Sequence, residues 1–262
     1  MFNIGNKVIG DGNPTFIIAE AGVNHNGDIN IAKELVDQAV FAGVDAIKFQ
    51  TFKAEKLVTG YADMAEYQKH NIGHVSSQFN MLKKLELSYE NFIEIQKYCK
   101  HKEIMFLSTP FDFESADFLS SIGMEAFKIS SGDLTNIPFL EHIARFNKPI
   151  ILSSGMATLA EIEQATNVIN FLGNKEVAVL HCTSNYPAKL QNVNLNAMNT
   201  IKNAFKVVSG YSDHTEGITI PIAATAMGAN IIEKHFTIDK SMEGPDHKAS
   251  LCPLELKEMV KA

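Results

Sequence analysis

The strongest constraint on the fold is an alternation that runs along almost the whole chain. Apolar runs of five to seven residues, typical of buried strands, are each followed by a longer amphipathic stretch typical of a helix. The predicted strands are 15–21, 45–51, 104–109, 126–130, 149–153, 177–182, 206–210 and 230–236. The predicted helices are 29–42, 89–102, 113–122, 137–146, 158–172, 195–204, 217–228 and one that begins near Leu254.

A strand–helix unit repeated eight times within 262 residues predicts an α/β fold, a (β/α)8 TIM barrel with eight parallel strands. A doubly wound open sheet is the competing arrangement, but no glycine-rich dinucleotide fingerprint follows the first strand. No break in composition divides the chain, so we expect a single barrel domain over 1–262, with an irregular segment at about 53–80. Because the eighth helix has barely begun at Ala262, we expect a barrel truncated in or after that helix.

Composition excludes several classes of protein. The net charge of −7 offers no basic surface for nucleic acid, and no apolar run approaches the ~18 residues of a membrane span. The N-terminus lacks the continuous apolar core of a signal peptide. Cys99, Cys182 and Cys252 form neither a metal-type pair nor a disulfide framework, which favours a reducing cytoplasm.

Polar side chains collect at the carboxyl end of every predicted strand, where TIM-barrel enzymes place their active sites. The last strand, "IIEKHFTI", is the clearest case. Glu233 and His235 alternate along it and therefore share one face, which we predict to be the pocket, whereas Lys234 should face the other way and be structural. Lys48 and Gln50 form a similar pair on the second strand. His181 is left open between a core histidine and a residue of the site.

Two of these strand ends carry histidines suited to a metal. His214 and His235 follow neighbouring strands and can converge on one cation, leaving open positions for water and substrate. Imidazole ligands with carboxylate and water suit Mn²⁺, Fe²⁺, Co²⁺ or Zn²⁺.

Two lysines on different strands, Lys48 and Lys128, suit a small dianion such as a phosphate ester. Arg145 is the only arginine in the chain, so an anion must be held by lysines, hydroxyls, backbone amides or a metal. A lysine in a barrel can also act as a Schiff-base nucleophile, which is the alternative chemistry. The hydroxyls predicted to join the lysines are Thr109, Ser131, Ser153 and Ser212.

The motifs "AEAGVNHNGD", "IKFQTF", "STPFD", "FKISSGD", "ILSSGMAT", "GYSDHT" and "EKHFTIDKSMEGPDHKAS" strongly resemble the sialic acid synthase family. The resemblance covers the chain from about Phe16 to Lys257, and its motifs are long and jointly specific. It implies an enzyme that condenses phosphoenolpyruvate with N-acetylmannosamine or a related 2,4-diacetamido-6-deoxy-mannose, releasing phosphate. The nine-carbon product would be N-acetylneuraminate or legionaminate, because "SSGDLTN" and "GPDHKAS" resemble those branches more than the pseudaminate branch.

The resemblance also assigns roles to residues. It implies that His214 and His235 bind a divalent metal, with Mn²⁺ favoured and Mg²⁺ or Co²⁺ as alternatives. Ser184 departs from the family, which often has asparagine at this position. The implied phosphoenolpyruvate-binding residues are Lys48, Thr109, Lys128, Ser131, Ser153, Ser184 and Ser212. The residues implied to contact the sugar or the attacking water are Glu20, Tyr186, Glu233 and Asp246.

By the same resemblance, carbon 3 of phosphoenolpyruvate attacks the sugar aldehyde and water adds at carbon 2, with C–O cleavage. Family members usually form a homodimer and carry a C-terminal antifreeze-like domain that contributes an arginine to the partner's site. That domain is expected to be absent here, and Arg145, late on a predicted helix, cannot replace its arginine. Two alternatives stay open: a Schiff-base aldolase using Lys128 or Lys48, and a non-catalytic barrel remnant that binds a phosphosugar.

Overall fold

The structure, a computed structural model, describes residues 1–65, 68–69, 71 and 77–262. A short antiparallel hairpin, β1 (Phe2–Ile4) and β2 (Lys7–Ile9), precedes the main sheet. The strands of the main sheet are β3 (Phe16–Gly22), β4 (Ala46–Thr51), β5 (Met105–Pro110), β6 (Phe127–Ile129), β7 (Ile150–Ser153), β8 (Val177–Cys182), β9 (Val208–Asp213) and β10 (Ile231–His235). The helices on its outside are Ile29–Ala42, Tyr89–His101, Phe113–Ser121, Ile137–Ala144, Leu159–Phe171, Asn196–Phe205, Thr219–Ala226 and Pro253–Lys261.

The eight strands of the main sheet form a nearly closed parallel barrel. Their order is β5–β4–β3–β10–β9–β8–β7–β6, and every ladder between neighbours is parallel. β5 and β6, at the two ends of this order, lie beside each other and bring the sheet round on itself. The predicted (β/α)8 TIM barrel is therefore confirmed.

The first helix shows how local sequence produces these units. Asp28 caps its N-terminus by accepting a hydrogen bond from the backbone of Asn30, and Gly43 ends it in a left-handed conformation with φ of +83°. Between them, apolar side chains at helical spacing face the barrel. Ala32, Leu35, Val36 and Ala39 are fully buried within the main core.

Most predicted boundaries agree with the structure to within two residues, but β9 differs. It was predicted to span 206–210, and it begins at Val208 and continues to Asp213. Lys206 instead ends the preceding helix in a left-handed conformation, with φ of +56°. Ser212 and Asp213 consequently lie on the strand, where they pair in register with Glu233 and Lys234 of β10.

Two features were not predicted. The hairpin turns at Gly5 and buries Ile4 and Ile9 in the main core beneath the barrel. The segment 53–80, expected to be irregular, contains helix Ala54–Leu57 and the start of helix Gln78–Leu85 in its described part. These helices contribute to a second apolar cluster, which also contains Val23. No helix in the described ranges combines the length and apolar character that a bilayer crossing requires.

Candidate active site

A cavity of about 360 Å³ opens at the carboxyl ends of the barrel strands. Twelve of the thirteen predicted site residues line it: Glu20, Lys48, Thr109, Lys128, Ser131, Ser153, Tyr186, Ser212, His214, Glu233, His235 and Asp246. These residues come from widely separated parts of the sequence. They meet because the carboxyl ends of the parallel strands lie at the same end of the barrel. The structure thus gathers the predicted residues at one place, while their individual roles stay predictions.

The centre of the cavity is a network of buried charges. Lys48 Nζ lies 2.6 Å from Glu20 Oε2 and 3.6 Å from Glu233 Oε2, and it donates a hydrogen bond to Thr109 Oγ1 at 2.9 Å. On the far side, Lys128 Nζ lies 3.5 Å from Glu233 Oε1. Glu233 therefore sits between two ammonium groups, which is how buried charges are stabilised.

The pKa values of the two carboxyl groups move in opposite directions. Burial raises the pKa of Glu20 to about 7, although neighbouring Lys48 opposes the rise. Burial would also raise the pKa of Glu233, but Lys128, Lys48 and a hydrogen bond from Ser212 Oγ at 2.8 Å outweigh it and lower that pKa to about 2. Glu233 is thus a fixed anion, whereas Glu20 can exchange a proton near neutral pH.

Burial by itself would lower the pKa of Lys48. The negative charges of Glu20 and Glu233 outweigh this effect and raise the pKa above its ordinary value. Lys48 is therefore an ammonium group at neutral pH. An ammonium group has no lone pair for attack on a carbonyl, so this lysine suits anion binding.

The two predicted metal ligands lie together at the edge of this network. The ring centroids of His214 and His235 are 5.6 Å apart, and burial lowers the pKa of both imidazoles. His214 Nδ1 donates to the carbonyl of Thr183 at 2.7 Å, which leaves Nε2 with a free lone pair. His235 Nδ1 is buried without a hydrogen-bond partner among the described residues.

Neutral imidazoles with lone pairs to spare fit a divalent metal, and a backbone acceptor on the second nitrogen of His214 is typical of metal-binding histidines. Within residues 1–65, 68–69, 71 and 77–262, no group of three or more His, Cys, Asp or Glu side chains is arranged to hold an ion. Two imidazoles by themselves would leave a metal with coordination positions for water and substrate.

Ser184 is the predicted site residue that does not line the cavity. It approaches Ser131 across Gly155. A Cβ atom on Gly155 would come within 2.3 Å of Ser131 Cβ and 2.9 Å of Ser184 Oγ, and the backbone there has φ of +49°. Only glycine lets the two hydroxyl groups converge at this turn.

His181, left open between a core histidine and a residue of the site, has a structural role. Its Nε2 hydrogen-bonds the carbonyl of Val193 at 2.8 Å, and it is absent from the lining of the main cavity. Lys234 faces away from the site, as predicted. It is fully buried and pairs with Asp213 at 2.5 Å.

Sequence reasoning missed three contributions to the cavity. Gln50, noted only as a neighbour of Lys48, donates to Glu20 Oε1 at 3.2 Å. The thiol of Cys182 accepts the backbone N–H of Gly155 at 3.1 Å, and only the tertiary fold brings these residues together. One wall is apolar and is formed by Val23, Phe52, Leu57, Val58, Met81, Leu82, Leu85 and Phe111. Helix Gln78–Leu85, which supplies part of this wall, begins inside the segment predicted to be irregular and was not predicted.

Comparison with known proteins identifies the family of the chain. The model of the NeuB family matches residues 35–262. The N,N'-diacetyllegionaminic acid synthase of Campylobacter jejuni is 54% identical over 93% of this chain and 73% of its own length. The N,N'-diacetyllegionaminic acid synthase of Legionella pneumophila is 50% identical over 98% of this chain and 74% of its own length.

A solved structure shares the fold as well. The crystal structure of N-acetylneuraminic acid synthetase from Leptospira borgpetersenii has a TM-score of 0.89 and 38% identity, covering 99% of this chain and 86% of that one. The two sequence relatives extend over 93% and 98% of the chain, and the family model covers every strand of the barrel except β3. The chain therefore belongs to the NeuB family.

Proposed function

We propose that this protein is a phosphoenolpyruvate-dependent synthase that joins phosphoenolpyruvate to an N-acetylated mannose-type sugar, yielding a nine-carbon sugar acid and phosphate. The observation that carries the proposal is the convergence of two buried lysines, serine and threonine hydroxyls and two neutral histidines on one cavity. The names of the relatives in Campylobacter jejuni and Legionella pneumophila support the same class of product.

Lys48 and Lys128 are proposed to bind the phosphate and carboxylate of phosphoenolpyruvate. They are the two ammonium groups that line the described part of the cavity, and each now contacts a carboxylate. Ser131 and Ser153 supply hydroxyl groups on the neighbouring strand ends. Ser153 Oγ is buried with no hydrogen-bond partner among the described residues, which suits a donor held ready for an anion.

A Schiff-base aldolase is the less favoured chemistry. Lys48 forms a 2.6 Å ion pair with Glu20, and its raised pKa keeps it protonated. Lys128 lies 3.5 Å from Glu233, whose lowered pKa keeps a negative charge beside it. The carboxylates beside both lysines therefore favour ion pairing over nucleophilic attack.

His214 and His235 are proposed to hold a divalent metal, with Mn²⁺ the first choice and Mg²⁺ or Co²⁺ as alternatives. When bound, the metal would supply Lewis-acid polarisation of the sugar aldehyde. Tyr186 packs over both imidazoles, with ring centroids 4.1 Å from His214 and 5.7 Å from His235. The tyrosine ring thereby covers one side of the histidine pair and limits access of water to it.

Glu20 is proposed to accept a proton at a carboxylate oxygen from the water that adds to carbon 2 of phosphoenolpyruvate. Its pKa of about 7 matches that task, and Gln50 and Lys48 hold its two oxygens. The hydroxyl delivered by water passes its proton to the departing phosphate and becomes the product ketone as the C–O bond to phosphate breaks. The bridging oxygen then leaves with phosphate, and Lys48 and Lys128 stabilise its charge.

The apolar wall favours the 2,4-diacetamido-6-deoxy acceptor over N-acetylmannosamine. A 6-methyl group and a second acetamido methyl can bury against residues such as Phe52, Met81 and Leu82. A 6-hydroxyl placed against the same wall would lose its hydrogen bonds to water, at a cost of about 1–3 kcal/mol. The product would then be a legionaminate-type acid.

A phosphate-release assay tests the proposal. The protein is incubated with phosphoenolpyruvate, Mn²⁺ and each of the two sugars in turn, and phosphate and sugar acid are quantified together. We expect release that depends on both substrates, with kcat/KM about ten-fold higher for the 2,4-diacetamido-6-deoxy sugar. Equal kcat/KM values would contradict the role of the apolar wall, and release that needs no sugar would contradict the synthase.

The homodimer stays a prediction that light scattering can check.

A further inference from the structure

Two loops at the top of the barrel are tied together by side chains that the proposed reaction does not use. The first follows β3 and contains Asn24 and Asn26, and the second, residues 237–250, follows β10. His247 lies at the centre of the contact and is fully buried, although it is polar. Its imidazole is absent from the lining of the cavity.

The hydrogen bonds of His247 define its tautomer. Asn26 Nδ2 donates to the carbonyl of Glu243 at 2.9 Å, so Asn26 Oδ1 faces the imidazole and can only accept. His247 Nε2, 3.2 Å away, must therefore carry a proton and donate it to that oxygen. His247 Nδ1 then accepts from Thr237 Oγ1 at 2.6 Å, and this shorter bond takes the hydroxyl proton in preference to the carbonyl of Asp239 at 3.3 Å. Burial lowers the pKa of His247 to about 4, which keeps it in this neutral form.

The backbone is shaped to receive the imidazole. The loop closes at its neck, where the backbone N–H of Thr237 donates to the carbonyl of Leu251 at 2.9 Å. Gly244 packs directly on the ring. A Cβ atom at that position would come within 2.5 Å of His247 Cδ2 and 3.1 Å of Asn26 Oδ1. The glycine of the "EGPDHKAS" motif therefore makes room for the histidine three residues later.

The loop held in this way carries one group into the cavity, the carboxylate of Asp246. It is 7% exposed and lines the site, and no cation pairs with it in the described part of the chain. Its backbone carbonyl accepts Ser250 Oγ at 2.7 Å, and Ser250 Oγ in turn accepts Asn24 Nδ2 at 3.0 Å. The backbone of Asp246 is thus anchored, whereas its carboxylate oxygens make no hydrogen bond within the described part of the chain and are left for a ligand.

We infer that His247 is a positioning residue, which fixes the Asp246 carboxylate against the sugar by joining the loop after β10 to Asn26 of the loop after β3. This inference rests on the proposed function, since it assigns Asp246 to the sugar. Because phosphoenolpyruvate is proposed to be bound by lysines on other strands, we expect its binding not to depend on the link between the two loops. The two substrates therefore provide an internal comparison within one enzyme.

Two substitutions separate the two bonds of the imidazole. In His247→Gln the side-chain amide nitrogen reaches the position of Nε2 and can still donate to Asn26, whereas His247→Asn is too short to do so. We expect His247→Asn to lower kcat/KM for the sugar by about 10- to 100-fold, as misplacement of a binding group does, with KM for phosphoenolpyruvate within about two-fold of the parent. His247→Gln should recover at least part of this loss. His101→Asn, at the exposed end of helix Tyr89–His101, serves as the control.

A double-mutant cycle with Asp246→Asn decides whether His247 acts through Asp246. We expect the double variant Asp246→Asn/His247→Asn to be no slower than Asp246→Asn alone. Hydrogen–deuterium exchange should also be faster across 237–250 in His247→Asn, while circular dichroism confirms that the variant remains folded. Additive losses in the cycle, equal losses for both substrates, or unchanged exchange would each overturn the inference. If the parent protein makes no sugar acid, the proposed function fails, and the exchange comparison still decides whether His247 holds the loop.

Discussion

Substitution of Lys234 by methionine probes the ion pair that lies behind the two candidate metal ligands. The ammonium group of Lys234 contacts Asp213 Oδ2 at 2.5 Å, and both side chains are fully buried. It also donates to the carbonyl of Thr215. Lys234 and Asp213 pair in register across β10 and β9, immediately beside His235 and His214, so the bond joins the two strand ends that carry the histidines.

The magnitude follows from what the substitution leaves behind. Methionine fills a similar volume, so little cavity forms, but Asp213 becomes a buried charge without a cation. Its remaining partners, the N–H and hydroxyl of Thr215, satisfy only part of its hydrogen-bonding capacity. Breaking a buried pair from one side costs about 3–5 kcal/mol of unfolding free energy. Removing both charges in Lys234→Met/Asp213→Asn should recover about half of that loss or more.

Urea unfolding followed by circular dichroism measures these free energies. The matched control is Lys240→Met, because Lys240 pairs with Glu255 at 2.6 Å but both side chains are more than one-third exposed. An exposed pair contributes about 0–1 kcal/mol. The reasoning is refuted if Lys234→Met loses no more stability than Lys240→Met, or if the double variant is less stable than Lys234→Met alone.

Four further predictions concern the reaction. Removal of divalent ions with a chelator should abolish phosphate release, and added Mn²⁺ should restore it. His235→Ala should stay folded but be inactive at any metal concentration. Full activity after removal of the ions would exclude a role for a metal. With ¹⁸O in the bridging position of phosphoenolpyruvate, the label should appear in phosphate, and label retained in the sugar acid would indicate P–O cleavage. Activity should rise with pH through about 7 as Glu20 loses its proton, and Glu20→Gln should remove that limb of the profile. Gly155→Ala should raise KM for phosphoenolpyruvate by about ten-fold or more, because the Cβ atom of the alanine would lie 2.5 Å from Ser131 Oγ. The control Gly173→Ala, at an exposed glycine, should leave KM unchanged.

The strand that begins "IIEKHFTI" shows how far pattern alone can go. Alternation along a strand was sufficient to predict that Glu233 and His235 face the pocket and that Lys234 faces away, because side chains of a strand alternate between its two sides. It could not predict that the partner of Lys234 is Asp213, nor that Glu233 lies between Lys48 and Lys128. Those contacts depend on strand order and register, which are properties of the closed sheet.

The largest error, the segment 53–80, has a similar cause. Helix Gln78–Leu85 is only eight residues long and packs on Val23 and Phe52. A helix of this length is marginal by itself and is stabilised by packing of its apolar face. The local pattern was therefore too short to predict it.

The sequence by itself determined the repeated strand–helix unit, the end of the barrel at which polar residues gather, and the types of group available there. These depend on periodicity and residue chemistry, which are local. Only the tertiary structure decided which groups meet: Lys48 with Glu20, Gly155 between Ser131 and Ser184, and His247 with Asn26. Such distances are set when distant strands close into a barrel, because burial of charged and polar groups is tolerated only where their partners have been brought within hydrogen-bonding reach.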